Sequence, residues 1–170
     1  IYAYLELHRY YSELLADRRK NLGDDMVSAL IGAEIRDDDG ELATLTDDEI
    51  IGFMMLMVVA GNETTTKLLA NGVYWGAKNP DQRAKVLDDP TFDMAVEWVE
   101  ETLRYDTSSQ MLLRRVIEDA EFGDYTIPAG HRVLLLAGSA NRDEEVFGSD
   151  ADQFILGRDS ARTIMSFGVG

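Results

Sequence analysis

The stretch Ile50-Ile51-Gly52-Phe53-Met54-Met55-Leu56-Met57-Val58-Val59, continuing into Ala60-Gly61-Asn62-Glu63-Thr64-Thr65-Thr66, decides the reading of this chain. Ahead of it, Thr46-Asp47-Asp48-Glu49 has the spacing of a capping box, and the pattern predicts one long helix from there to about Ala77. A helix apolar on nearly all sides is expected to be buried. Interior glycine and three consecutive threonines weaken a helix, and a buried acid needs a partner or a raised pKa. Met57, Ala60, Gly61 and Thr64 fall at i, i+3, i+4 and i+7, on one face. Small residues there let something flat or small approach the backbone, with a hydroxyl and a carboxyl in reach. The same pattern also suits a close helix crossing with threonine hydroxyls bonded to backbone carbonyls.

Upstream of this helix, apolar positions at Leu5, Leu7, Tyr11, Leu14 and Leu15 predict a helix over residues 1 to about 20. Gly23-Asp24-Asp25 ends it, Met26 to Ile35 reads as a short helix, and Asp37-Asp38-Asp39-Gly40 reads as a solvated turn. Downstream, Asn79-Pro80 stops the long helix and starts another from Asp81 to about Leu87. A further helix spans roughly Asp93 to Tyr105. Met111 to Val116 and Glu121 to Ile127 look extended, and Pro128-Ala129-Gly130 turns into a strand from His131 to Leu136. The remainder reads mostly as loop, with Asn141-Arg142-Asp143 and a short Asp150 to Phe154 segment. Helices followed by a small β-sheet make the fold α+β, mainly α, in one domain.

Composition narrows the function. Lys and Arg number 16 against 32 Asp and Glu, a formal charge of −16, which argues against nucleic acid and anionic membrane surfaces. The longest apolar run, Ile50 to Ala60, is too short to span a bilayer, and no signal peptide opens the chain. A soluble cytoplasmic protein fits these features. There is no cysteine, so neither disulfides nor thiolate metal ligands come from these residues. Ile1 suggests a natural start upstream, and Ser166-Phe167-Gly168-Val169-Gly170 reads like a turn cut in mid-motif.

Three further patterns carry chemistry. Glu101 and Arg104 stand at i, i+3 on one helix face and can pair. Arg114 opens an extended segment. Phe167-Gly168-Val169-Gly170 alternates glycines as a backbone does where it must approach another group closely.

In this order and spacing the pieces resemble the cytochrome P450 family, its soluble bacterial members in particular. Ala60-Gly61-Asn62-Glu63-Thr64-Thr65 resembles the central-helix motif Ala/Gly-Gly-x-Asp/Glu-Thr, and Glu101-x-x-Arg104 the Glu-x-x-Arg motif. Phe154-x-x-x-Arg158 falls where the family has the second arginine of its Glu-Arg-Arg cluster, and Phe167-Gly168-x-Gly170 resembles the opening of Phe-Gly-x-Gly-x-His-x-Cys. The resemblance covers essentially the whole chain.

It implies a haem b cofactor and a monooxygenase that puts one oxygen atom of O2 into a small organic substrate, with electrons from a ferredoxin or flavodoxin. Thr64 is implied as the hydrogen-bond donor to bound oxygen, Glu63 as the proton source and Gly61 as the opening of the oxygen groove. Ala60, Gly61, Arg114 and Phe167 would contact the haem, with Arg114 on a propionate. Glu101, Arg104 and Arg158 would form a structural cluster. Met57 and Ala60, with Ser109, Gln110, Met111 and Leu112, would border the substrate pocket; Met57, Leu112 and Leu113 say only that this side is apolar. Many bacterial members carry a propionate-binding histidine where Ile164 stands; either another group takes over, with Arg162 a candidate, or that propionate is less tightly held. The iron's cysteine is expected as the fourth residue after Gly170, and the family's N-terminal half before Ile1. Two alternatives are peroxide-driven oxygenation or isomerisation, which the Glu63–Thr64 pair disfavours, and a non-catalytic acidic helical binding module, against which a buried polar interruption at Glu63 to Thr66 would argue.

Overall fold

The computed structural model describes residues 2–36, 40–158 and 164–168. The expected turn at Asp37-Asp38-Asp39, the candidate Arg162 and the last glycine of the terminal motif, Gly170, lie outside those residues. The chain divides into two compact units, Ile1–Glu63 and Thr64–Gly170.

In the first unit, α1 (Tyr2–Arg18) leads to α2 (Met26–Gly32). Asp25 caps α2, its Oδ1 accepting from Ser28 N at 2.9 Å, while Arg18 Nε donates to Oδ2 at 2.6 Å. The helix expected to reach Ile35 ends at Gly32. Ala33 is extended (φ −71°, ψ 131°), and β1 (Glu34–Arg36) pairs antiparallel with β2 (Leu42–Thr44), placing Ile35 opposite Ala43. A β-branched residue between polar neighbours suits a strand better than a helix end.

The long helix α3 (Asp47–Lys78) begins with the capping box its sequence promised. Glu49 Oε2 accepts from Thr46 N at 2.8 Å, and Thr46 Oγ1 accepts from Glu49 N at 3.3 Å. Leu15, Val27, Ile50, Ile51 and Met54 form the core of this unit, with Tyr11, Leu14, Leu30, Ile31, Leu45 and Met55 packed against it. Arg19 pairs with Asp47, tying α1 to the start of α3.

Part of the apolar face of α3 is uncovered among the described residues. Phe53, Leu56, Met57, Val58 and Val59 are exposed, and so are Glu63, Thr64, Thr65 and Thr66. In the first unit the Ile50–Ile51–Met54 stripe is covered, because that is the stripe α1 and α2 reach. The buried polar interruption is therefore an exposed one.

In the second unit, α4 (Pro80–Asp88) starts on its proline, and α5 (Phe92–Tyr105) is capped by Thr91, whose Oγ1 accepts from Met94 N at 3.3 Å. The C-terminal part of α3 packs tightly on α5. A Cβ added to Gly76 would stand 2.7 Å from Trp98 Cη2, so glycine is required by space there.

In place of one small sheet there are two-stranded ladders. β3 (Leu112–Arg115) pairs antiparallel with β6 (Arg132–Leu135), and Arg115 sits opposite Arg132. The stretch expected to be extended from Glu121 to Ile127 is a hairpin, β4 (Ala120–Phe122) and β5 (Tyr125–Ile127). Gly123, at φ +57°, takes the left-handed turn position that joins them. Within the region read as loop, two single-turn helices form, α6 (Ala137–Ala140) and α7 (Glu144–Phe147), the latter capped by Asp143. The chain is mainly helical with small antiparallel sheets.

Candidate functional site

The second unit is organised around a buried cation. Arg104 donates from Nε to Glu101 Oε2 (2.8 Å), and from Nη2 to Glu101 Oε1 (2.8 Å) and Gln153 O (2.7 Å). Its Nη1 donates to Asn141 O (3.0 Å) and Ala151 O (2.8 Å). Every N–H of the guanidinium is thereby used, which is what allows a charge to sit where none of it is exposed. Glu101 Oε1 also accepts from Ile155 N at 2.7 Å and lies 3.6 Å from Arg158 Nε. Arg158 Nη1 donates to Asp150 Oδ1 at 2.8 Å, and that bond holds the Asp150 carboxyl below the usual carboxylate range. So the structure brings Glu101, Arg104 and Arg158 together.

Asn141, fully buried, extends this cluster toward the C-terminal turn. Its Nδ2 donates to Leu103 O (3.2 Å) and Ser166 Oγ (3.0 Å), and its Oδ1 accepts from Met165 N (2.6 Å). Ser166 Oγ in turn donates to Leu103 O at 2.7 Å. The turn Met165–Gly168, closed by Gly168 N on Met165 O at 3.0 Å, is thus fastened to the end of α5. Gly168 stands at φ +79°, a conformation that favours glycine. Phe167, beside it, is 83% exposed. Asn141, Ser166 and Thr107 escaped the sequence reading; an isolated polar residue carries no signal that it will be buried.

Thr64, Thr65 and Leu68 of α3 meet Leu103, Thr107, Ser108, Ser109, Ser166 and Phe167 around a pocket of about 280 Å³. Two stretches singled out separately, the central-helix threonines and the Phe-Gly turn, therefore share one site. Hydroxyls and aliphatic carbons make its walls, with an aromatic ring at the margin. The chain has no cysteine, so these residues supply no thiolate.

The other expected site residues are distributed as follows. Glu63, Ala60, Gly61 and Met57 are exposed residues of α3 in the first unit. Arg114 is exposed on β3, its Nη1 donating to Leu113 O at 3.1 Å, which leaves further N–H groups for an anion. Ser109 lines the pocket; Met111 is exposed and Leu112 half-buried. Gln110 uses its amide on Thr107 O and Asp106 Oδ1. Ile164 is half-buried. No helix among the described residues is long and apolar enough to cross a membrane.

The profile of the cytochrome P450 family matches residues 2–89 and 92–169, and the chain belongs to that family. Putative cytochrome P450 123 of Mycobacterium tuberculosis is 51% identical over 168 residues, covering 99% of this chain and 40% of that protein. Cytochrome P450 130 of the same organism is 40% identical over 161 residues, 95% of this chain and 38% of that protein. Among solved structures, CYP109Q5 from Chondromyces apiculatus superimposes with a TM-score of 0.87 at 39% identity, over 97% of this chain and 40% of that one. The chain thus spans about 40% of the length of the relatives it matches.

Proposed function

We propose that the whole protein is a soluble, cytoplasmic haem-thiolate monooxygenase. It inserts one atom of O2 into a small organic molecule and reduces the other to water, with two electrons from a ferredoxin or flavodoxin. The prosthetic group is haem b, and its iron ligand is a cysteine four residues beyond Gly170. What supports this reading is the pocket that Thr64 and Phe167 both line.

When bound, the haem supplies the redox-active iron at which O2 is reduced. This chain supplies the rest of the cradle. Phe167 and the Gly168 turn would contact the ring, and the small residues Ala60 and Gly61 would let it approach the backbone of α3. Arg114 would hold a propionate through its guanidinium N–H groups. The Thr64 hydroxyl would donate a hydrogen bond to bound oxygen, and the Glu63 carboxyl, one residue earlier on the helix, would pass protons from solvent. Met57, Ser109, Gln110, Met111 and Leu112 border the substrate.

The test is the full-length protein from the parent reading frame. Sequencing past Gly170 is expected to find the cysteine, and the reduced protein with carbon monoxide to give a thiolate-type haem spectrum. NAD(P)H consumption with added ferredoxin and reductase then separates electron-driven oxygenation from peroxide-driven chemistry. A reading frame with no cysteine in the residues that follow would remove the assignment.

A further inference from the structure

One network in the second unit ties α3 to the segment that leaves α5. Asp106 follows the last turn of α5 with a non-helical backbone (φ −146°, ψ 68°), its N–H still bonded to Thr102 O at 2.9 Å. Its acceptors are claimed from outside α5. Asn71 Nδ2 donates to Asp106 O at 2.8 Å, and Trp75 Nε1 donates to Asp106 Oδ2 at 2.7 Å. Gln110 Nε2 donates to Asp106 Oδ1 at 3.1 Å and to Thr107 O at 2.7 Å, so residues 106–110 close on themselves. Gly138 N donates to Gln110 O at 3.0 Å, and a Cβ at Gly138 would stand 2.0 Å from Gln110 Oε1. The loop is therefore held from α3 on one side and from α6 on the other.

Helical spacing explains what this arrangement controls. Thr64, Leu68, Asn71 and Trp75 stand at i, i+4, i+7 and i+11, one face of α3. The first two line the pocket, and the last two grip Asp106. Thr107, Ser108 and Ser109, enclosed between Asp106 and Gln110, line the same pocket. One rigid helix thus carries part of the pocket wall and also the two donors that locate the neighbouring loop.

We propose that Asp106 is a positioning residue, which Asn71 and Trp75 hold so that the Thr107–Ser109 loop stands at a set spacing from α3 and the slot keeps its grip on the haem. The inference rests on the haem-thiolate reading. Its physical basis is that an indole N–H to carboxylate bond is charge-assisted, and that loss of the acceptor leaves the part-buried Trp75 indole N–H unsatisfied unless the loop moves. A functional site needs such support from a rigid element to stay within a fraction of an ångström of its working geometry.

The experiment is haem transfer from the loaded full-length enzyme to apomyoglobin, followed at the Soret band, with the melting temperature measured beside it. Asp106→Ala and Trp75→Phe are each expected to speed haem loss about tenfold. Because both remove the same bond, the double variant should lose haem no faster than the faster single one. Asp106→Asn keeps a carbonyl oxygen for the indole and should restore most of the retention. If Asp106→Ala does not fold, Asn71→Ala, which removes only the bond to the backbone carbonyl, should still speed haem loss several-fold. Lowered melting temperatures with wild-type haem loss, or single effects that multiply in the double variant, overturn the proposal. A wild-type enzyme with no thiolate-type spectrum sinks the haem-thiolate reading instead.

Discussion

Glu101 and Arg104 meet through two parallel hydrogen bonds of 2.8 Å, with 2% of the acid and none of the base exposed. A pair this deep is a poor source of net stability but a severe loss when halved, since the remaining charge stays buried. Arg104→Lys cannot reproduce the fork or reach the carbonyls of Asn141, Ala151 and Gln153 together. It is expected to cost about 3–5 kcal/mol, as is Glu101→Gln. Denaturant unfolding of the full-length protein measures this, and a loss below 1 kcal/mol would mean the cluster is not the anchor its geometry implies.

Thr64→Ala is expected to divert electrons to hydrogen peroxide, lowering product per NAD(P)H several-fold while substrate affinity holds. Glu63→Gln should act otherwise, slowing turnover about 100-fold with product still matched to electron use, because proton supply is what it removes. One reconstituted assay that counts cofactor, product and peroxide separates the two. Wild-type coupling and rate in Thr64→Ala would return Thr64 to a helix-packing hydroxyl.

Asp25 gives a pH dependence with a defined sign. The Ser28 N–H it caps, and then the Arg18 guanidinium, lower its pKa from 3.8 to about 2. A folded-state value below the unfolded one contributes stability that is complete above about pH 4 and is lost as pH falls toward 2. Asp25→Asn should lower the melting temperature at pH 7, and the gap from wild type should close between pH 4 and pH 2. A gap that stays constant over that range would show the charge to be idle.

Gly76→Ala should destabilise the protein despite alanine's better helix propensity. The new Cβ would meet Trp98 Cη2 at 2.7 Å and Cζ2 at 2.8 Å, and an indole ring has no flexible end to give way. Overpacking of about 1–3 kcal/mol outweighs the roughly 1 kcal/mol gained by replacing glycine in a helix. Thermal unfolding reads the balance, and Trp98→Phe in the same background should recover part of the loss.

Local chemistry was legible in the sequence, and tertiary use of polar side chains was not. The Thr46–Glu49 box, Asn79-Pro80 and Pro128-Ala129-Gly130 mark chain reversals and helix starts by short-range bonds, so α3, α4 and β6 were found close to their bounds. Ile35 and Gly123 were misjudged because a three-residue strand has too few positions to show a period. The Leu56–Val59 stretch was read as buried because hydropathy reports what a side chain prefers, whereas exposure depends on which neighbours reach it. At the site, the four motifs could be matched residue by residue. The bonds that orient the pocket, from Asn141 to Ser166 and from Trp75 to Asp106, join residues 25 and 31 positions apart, and no local pattern announces them.

The Arg104 cluster also governs the order in which the second unit can assemble. The carbonyls that receive the guanidinium lie 37, 47 and 49 residues further on, and the amide that Glu101 accepts lies 54 further on. Until that late segment arrives, the cation has too few partners to leave water; once the cation has left, the segment cannot peel away without stranding it. Partial fraying from residue 141 to residue 155 is thereby suppressed, and native-state hydrogen exchange there should follow global unfolding of the unit rather than local opening.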